Sequence, residues 1–266
     1  MDSGTCVFIT PHINQFGAEK SLVSLVSYVK QQGYEVLVIM PAKGPIVELL
    51  EEKEIPYIVE KFASIVNYSN RPRYIKGLVK RIFNYYKAVK VRRILGNRNI
   101  MFVHTNSIVT DFGVLLSKAI KCDHYQHIRE FADLDFNMTF ELGKKDLSRI
   151  QKASTKIICI SKAIENHYRY LGDNLCTIYN GVSLNSCPYV KKTKNNSNFR
   201  MVLTGRLGKE KGHYLVLDAL EYLDSIGVSN ITLDFYGTGA CEEELKEIVI
   251  RKKLANRVKF SGYTKM

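Results

Sequence analysis

Apolar residues in the first part of the chain switch between short continuous runs and helical spacing. Runs at residues 6–10 and 35–40 predict buried strands. Between them, apolar residues recur at i, i+3, i+4 and i+7 from Leu22 to Val29, which predicts a helix over residues 18–32. Strands alternating with helices indicate a parallel sheet covered on both faces. A further helix is predicted at residues 46–54, and further strands at residues 55–59, 100–104, 125–128, 157–160 and 176–179.

A second alternation begins near residue 200, after a polar and basic segment that contains Pro188. We therefore predict a first Rossmann-like domain at residues 1–186, a linker at 187–199 and a second domain at 200–266. A complete doubly wound domain needs on the order of 100 residues or more. We expect the chain to end inside its second domain, which is then incomplete. The second domain is predicted to contain strands at residues 200–204, 231–236 and 257–260, with helices at 216–223 and 242–253.

Composition narrows the class of protein. The 266 residues are 45% hydrophobic, which is ordinary for a globular chain. The six cysteines are scattered without a C-x-x-C pair, so we expect free thiols in a reducing compartment and neither a disulfide framework nor a zinc site. The start of the chain lacks the pattern of a signal peptide, and no apolar run approaches the length of a membrane span. A cytoplasmic protein is expected.

The net charge of +13 is concentrated in one segment, because residues 61–110 contain no Asp or Glu. Apolar residues at helical spacing are interleaved with the cations there, as in a basic amphipathic helix. Such a helix suits the anionic inner face of a membrane. A solvated surface helix and a nucleic-acid interface are the alternatives, and we expect no nucleic acid as partner. The candidate membrane-facing cations are Lys76, Lys80, Arg81 and Lys87.

A short loop in the second domain carries the strongest chemical signal. Residues 204–212 follow an apolar strand, precede an amphipathic helix, and contain Arg206, Lys211 and three glycines. Free backbone N–H groups and the positive end of the helix dipole point into such a turn. With two added cations, the turn favours a phosphate or diphosphate as ligand.

Other candidates are individually weak. Gly17 and Gly237 each follow a strand, where a glycine lets backbone approach a ligand, although a tight turn or ordinary packing explains either one. The first turn lacks G-x-G-x-x-G, which disfavours an NAD site. His127 ends a strand and is a candidate base or substrate-binding residue, with a structural histidine as the alternative. His124 lies three residues away, on the opposite face of the strand, which disfavours a shared metal.

Taken together and in order, these segments resemble glycosyltransferase family 4, whose members have the GT-B fold. The resemblance covers essentially the whole chain. It rests on Phe16-Gly17-Ala18-Glu19, His127-Ile128-Arg129-Glu130-Phe131, the strand ending at Ser161, Asn180-Gly181-Val182, Gly205-Arg206-Leu207 with Lys211-Gly212, Tyr236-Gly237-Thr238-Gly239, and residues 258–262.

The resemblance implies a retaining glycosyltransferase with two Rossmann-like domains. The donor diphosphate of a nucleotide-sugar is expected between the Gly17 loop and the pair Arg206 and Lys211, with Gly237 also on the donor side. His127 is expected to contact the reacting sugar or the acceptor. No cofactor or metal is implied.

Members of the family also have two glutamates, seven residues apart, at a place in the second domain that would lie beyond residue 266.

We expect synthesis of a cell-surface or lipid-linked glycan. The alternatives are an inactive fragment or partner subunit that binds nucleotide-sugar or membrane, and a GT-B-fold nucleotide-sugar epimerase.

Overall fold

A computed structural model describes residues 4–69, 71–181 and 198–263 of the chain. The chain divides into two compact units, Met1–Val182 and Ser183–Met266. Residues 187–197 of the predicted linker lie outside the described residues.

The first unit contains most of the secondary structure. Nearly every predicted element forms within two or three residues of its expected bounds. Its elements are β1 (Thr5–Ile9), α1 (Gly17–Gln31), β2 (Glu35–Met40), α2 (Ile46–Glu52), β3 (Tyr57–Val59), β4 (Val66–Asn67), α3 (Tyr74–Leu95), β5 (Ile100–Asn106), α4 (Phe112–Ile120), β6 (Asp123–Ile128), α5 (Asp133–Phe136), β7 (Thr139–Phe140), α6 (Lys144–Ala153), β8 (Lys156–Cys159), α7 (Lys162–Tyr168) and β9 (Leu175–Thr177).

Seven strands form one parallel sheet in the order β3-β2-β1-β5-β6-β8-β9, and β4 pairs with β7 in a separate antiparallel ribbon. Alternate residues of β1 point to opposite faces. Phe8 packs with α1 and α2 on one face, and Val7 packs with α3 and α4 on the other. A parallel sheet covered on both faces is therefore confirmed for this unit.

The second unit contains β10 (Phe199–Thr204), α8 (His213–Ser225), β11 (Ile231–Tyr236), α9 (Glu242–Arg251) and β12 (Val258–Phe260). The strands form a parallel sheet in the order β10-β11-β12. Phe235 is buried in the core of this unit with residues of α8 and α9, and the partly buried Leu203 packs against that core. On the opposite face of β10, Val202 is exposed.

Candidate functional site

The carboxyl ends of β1, β5 and β6 meet at one edge of the large sheet, because these strands are neighbours and run parallel. Ligands of open α/β sheets bind at this edge. The chain places a set of polar side chains there: His12, Asn106, Ser107, His127, Arg129 and Glu130.

His127 is buried at the end of β6, and its Nδ1 lies 3.3 Å from Nε2 of His104 on β5. Burial, the charge of Arg129 and the neighbouring His104 together lower the pKa of His127 to about 2. The ring is therefore neutral at physiological pH. Its Nε2 has no hydrogen-bond partner among the described residues. His127 is therefore a neutral, buried ring at the carboxyl end of β6, with one nitrogen that is unpartnered in the described part of the chain.

His124 has a different environment. Its ring nitrogens form hydrogen bonds with the hydroxyls of Thr105, at 2.8 Å, and Ser154, at 2.9 Å. Both ring nitrogens are occupied, and burial lowers its pKa to about 3. His124 is a structural histidine. His124 and His127 have different hydrogen-bond partners, as expected for residues on opposite faces of a strand.

Arg129 ties the sheet edge to two other segments. Its NH1 donates to Ser21 of α1 at 3.1 Å and to the side-chain oxygen of Asn180 at 2.9 Å, and its Nε donates to Asn106. Burial lowers its pKa to about 10, against the attraction of Glu130 and Glu19, so Arg129 keeps its charge at neutral pH. No role for Arg129 was predicted from the sequence, although it lies in the motif at residues 127–131. The available signal was its position just after β6, two residues beyond His127.

A second chain of polar groups runs beside His127. The Ser107 hydroxyl donates to the buried carboxylate of Glu130, which also accepts the N–H of Ile108 at 3.0 Å. His12 Nε2 lies 3.3 Å from the Ser107 oxygen. Because the single Ser107 proton is used on Glu130, His12 serves as donor to Ser107, and the group is not arranged as a serine nucleophile.

Ser107 has φ of +90°, a conformation that non-glycine residues rarely adopt. Such strain is held in place by the surrounding contacts and is concentrated at functional sites. No role for Ser107 or Glu130 was predicted from the sequence, because their contacts depend on strands that are adjacent only in the fold.

Gly17 opens α1 and is exposed. A methyl group added there would meet nothing within 4 Å, so packing within the structure does not require a glycine. The carboxylate of Glu19 caps the helix by accepting the N–H of Phe16 at 3.0 Å. A donor contact at Gly17 stays a prediction.

Gly237 in the second unit is required by packing. It has φ of +142°, and a side-chain carbon there would lie 1.9 Å from the carbonyl oxygen of Gly205. The two loops are joined further along, because Leu207 donates its N–H to Thr238 at 3.1 Å and accepts the N–H of Cys241 at 3.2 Å. The close approach of these loops already explains a glycine at this position, and contact between Gly237 and a donor stays a prediction.

The two cations of the predicted phosphate loop differ in their surroundings. Both are exposed, and a single 3-10 turn, Lys209–Lys211, separates Arg206 from the start of α8. Arg206 forms an ion pair with Glu210, which lowers the pKa of that carboxyl. Lys211 has no ion-pair partner within the described ranges. A phosphate that binds Arg206 must therefore compete with Glu210.

The four candidate membrane-facing cations lie on α3 and differ in their contacts. Lys80 and Lys87 form ion pairs with the buried Glu141 and Glu60, both at 2.6 Å. Arg81 has a buried guanidinium nitrogen. Lys76 is the member of the four that is exposed. No helix of the described residues is both long and apolar enough to span a bilayer.

The two α/β units each contain a parallel sheet, and the fold is that of the GT-B glycosyltransferases. The model of Glycosyltransferase Family 4 matches residues 17–186, which is more than half of the chain. The chain belongs to this family, and the resemblance seen in the sequence is confirmed.

Solved structures of glycosyltransferases are similar to the chain. Anabaena Alr3699/HepE in complex with UDP and glucose is 20% identical, with a TM-score of 0.70 over 98% of this chain and 70% of that chain. A glycosyltransferase from Rickettsia africae is 16% identical, with a TM-score of 0.70 over 100% and 69%. The lipopolysaccharide outer core galactosyltransferase WaaB is 14% identical, with a TM-score of 0.67 over 98% and 68%. At these identities the likeness establishes the fold alone. No curated protein has a matching sequence.

Proposed function

We propose that the chain transfers a sugar from a nucleoside-diphosphate sugar to a glycan or lipid-linked acceptor, with retention of anomeric configuration. The observation that carries this proposal is the loop at residues 204–212 of a family 4 chain, which presents two exposed cations beside the start of α8. HepE with UDP and glucose, and the galactosyltransferase WaaB, support a nucleotide-sugar donor and a cell-surface glycan as product.

The chemistry needs positive charge where the diphosphate leaves. The bond between the anomeric carbon and the diphosphate oxygen breaks, and its electron pair stays on the diphosphate. The acceptor oxygen forms the new bond to the anomeric carbon, and its proton goes to the departing diphosphate. Arg206 and Lys211 stabilise the developing charge without a metal, and N–H groups at the start of α8 add to it.

His127 is proposed to hold a hydroxyl of the reacting sugar or the acceptor. Its neutral ring accepts or donates one hydrogen bond through Nε2, while Nδ1 faces His104. Arg129 is a positioning residue for this edge, because it links Asn106, α1 and Asn180. Gly17 and Gly237 are proposed to leave room for the donor.

The donor site is tested by the thermal stabilisation that UDP gives. We expect UDP to raise the melting temperature of the parent chain, and Arg206→Ala and Lys211→Ala to abolish that rise, because each removes a partner of the diphosphate. Lys209→Ala is the matched control, since Lys209 is an exposed cation in the same turn. An unchanged response in both variants contradicts the assignment.

The reaction is tested by product analysis with radiolabelled UDP-glucose and a membrane-lipid extract. Transfer yields UDP and a labelled glycoside. An epimerised sugar nucleotide supports the epimerase, and binding without turnover supports a non-catalytic subunit. In an active chain, loss of one cation is expected to reduce kcat by about 10²–10³, by analogy with other lost charge stabilisers.

The reaction is proposed to take place on the cytoplasmic side, where the free thiols of the described cysteines remain reduced.

A further inference from the structure

The outward face of α3 is apolar. Ile75, Leu78, Val79, Ile82 and Tyr86 recur at i, i+3, i+4, i+7 and i+11, so they share one face of the helix, and all five are exposed. We call these five residues the outer stripe. It extends over about 16 Å of helix, at 1.5 Å per residue. Monomeric soluble proteins rarely expose a contiguous apolar surface of this kind without a partner.

The inward face of α3 is held by polar contacts. Arg73 and Lys80 both bind the buried carboxylate of Glu141, at 2.7 and 2.6 Å. Lys87 and Lys90 bind the carboxylate of Glu60, both at 2.6 Å. Rotating the helix to bury the outer stripe would break these pairs and leave two buried carboxylates without partners, which is strongly unfavourable. The outer stripe is therefore fixed toward the outside.

A second inward anchor supports the same orientation. The side chain of Asn84 exchanges hydrogen bonds with the backbone of Ala63, at 2.7 and 3.0 Å, and donates to Asp111 at 2.7 Å. Gly77 lies against Leu142 and Glu141, where a side-chain carbon would come within 2.9 Å of either. These contacts fix the rotation of the helix along the length of the outer stripe.

The segment that carries the outer stripe contains cations and no acids. No acid occurs from residue 61 to residue 110. The three carboxylates outside this segment that accept hydrogen bonds from α3, Glu60, Asp111 and Glu141, are buried. Among the described residues, several exposed cations of this segment have no ion-pair partner. These cations are Lys61, Arg71, Lys76, Arg92, Arg93 and Arg98.

We propose that the outer stripe inserts into the interface of a bilayer that contains anionic lipid, with α3 lying along the membrane surface. Apolar side chains enter the boundary between headgroups and acyl chains, and the unpaired cations contact lipid phosphates. Tyr74, Tyr85 and Tyr86 are exposed on the same helix, and tyrosine suits the headgroup level. A segment with cations and no acids favours a lipid phosphate layer over a protein partner, which would need a matching acidic face.

This orientation differs from an electrostatic contact made by Lys80, Arg81 and Lys87. Lys80 and Lys87 hold the helix to the protein through Glu141 and Glu60, and the outer stripe supplies the membrane contact. Charge attraction is screened by salt, whereas apolar insertion is not. Binding to anionic vesicles is therefore expected to weaken with salt without being lost.

The absence of tryptophan from the chain gives a direct probe of insertion. Tyr86→Trp places a single indole on α3, and Tyr222→Trp places one on α8 as a matched control, since the two tyrosines are 66% and 64% exposed. On addition of phosphatidylcholine–phosphatidylglycerol vesicles, we expect a blue shift of emission and quenching by brominated lipid for the indole on α3 alone. No shift in the α3 variant, or equal shifts in both variants, overturns the proposal.

Co-sedimentation with the same vesicles tests the apolar contribution. Ile82→Asp is expected to weaken binding by about tenfold or more, because an isoleucine side chain that enters the bilayer is replaced by a charge. Ile250→Asp on α9 is the matched control, since Ile82 and Ile250 are 70% and 69% exposed, and it is expected to bind like the parent. Binding that Ile82→Asp leaves unchanged contradicts insertion.

A second copy of the chain is the main competing occupant. It predicts a dimer in analytical ultracentrifugation without lipid, which Ile82→Asp converts to monomer, together with no vesicle binding by the parent. That outcome overturns the membrane proposal. Neither assay uses a nucleotide, so failure of the membrane proposal is distinguishable from failure of the donor site.

Discussion

Helices α1 and α3 cover opposite faces of the same sheet. Helix α1 turns its apolar side toward the sheet, whereas α3 turns its apolar outer stripe away from it. In α1, Leu22, Val23 and Val26 are buried against the sheet, while Lys20 and Ser24 are exposed. In α3, the apolar outer stripe is exposed, and cations and an amide make many of the inward contacts. The comparison shows that an amphipathic sequence specifies two faces, and that the neighbouring residues decide which one turns inward.

The partners beneath α3 explain its orientation. Burial raises the pKa of Glu141, but hydrogen bonds and attraction from Arg73 and Lys80 outweigh it and hold the pKa below the usual range. The pKa of Glu60 is lowered in the same way by Lys87 and Lys90. Apolar packing contributes mainly in the second half of the helix, where Ala88, Val91 and Leu95 join the core.

The largest effect is expected from one substitution made on both helices. Val26→Asp in α1 buries an unpaired carboxylate at a position that is 0% exposed, and we expect a loss of about 4 kcal/mol or more, or no folded protein. Val79→Asp in α3, at a position that is 62% exposed, is expected to change stability by less than about 0.5 kcal/mol. Urea unfolding followed by circular dichroism measures both. Similar losses would contradict the outward orientation of the stripe.

The buried carboxylate beneath α3 is the next target. Glu141→Ala removes the acceptor shared by Asn67, Arg73 and Lys80, and we expect a loss of about 3 kcal/mol in the same unfolding assay. Glu243→Ala, at an exposed ion pair with Lys246, is the control and is expected to cause no measurable change. A tolerated Glu141→Ala would mean that apolar packing alone holds α3.

Titratable groups on the two sides of the sheet are expected to lose their contribution to stability in different pH ranges. On the side of α1, burial lowers the pKa of His104 to about 3. Such a ring is neutral when folded and takes up a proton on unfolding below about pH 6.5, so its contribution to stability is complete above that pH and falls as pH drops toward 3. Glu141 and Glu60, beneath α3, lose their stabilisation only below the ordinary range of glutamate.

The free energy of unfolding, measured at a series of pH values, tests the contribution of His104. His104→Phe is expected to reduce the slope of that free energy against pH by about 1.4 kcal/mol per pH unit between pH 6 and 5, which is the value for one proton. Asp146 acts in the opposite direction, since burial raises its pKa to about 6, but it is present in both chains and cancels in the difference. Equal slopes would show that His104 is not buried as a neutral ring.

The smallest effect distinguishes two cations of α3. Lys80→Ala removes one of two cations from Glu141 and is expected to cost about 1 kcal/mol, because Arg73 remains. Lys76→Ala, at an exposed position, is expected to leave stability unchanged and to weaken binding to anionic vesicles slightly. Thermal unfolding and co-sedimentation check the pair. The reverse pattern would exchange the roles of the two lysines.

Regular elements could be predicted from the sequence because apolar spacing determines them locally. The bounds of β2 and β11 are as predicted, and α1 begins one residue earlier than expected. The site was predicted only in part. His127 was found because it ends a strand, but its pairing with His104 depends on β5 and β6 being adjacent.

Other contacts could not be predicted for a related reason. Arg129 joins segments more than 50 residues apart in the chain, and Glu141 lies 61 residues from Lys80. Neither distance leaves a local signal. The direction of α3 follows from such contacts, so its helical character was predictable and its outward face was not.

The N–H and the carbonyl of Leu207 both form hydrogen bonds with the loop after β11, so that loop and the loop that carries Arg206 are expected to move together. A ligand that pulls Arg206 away from Glu210 also pulls on Thr238 and on Cys241, the residue just before α9. Occupancy of the loop is therefore expected to protect the amide hydrogens at the start of α9 from exchange with solvent, although α9 itself carries none of the residues proposed to bind phosphate.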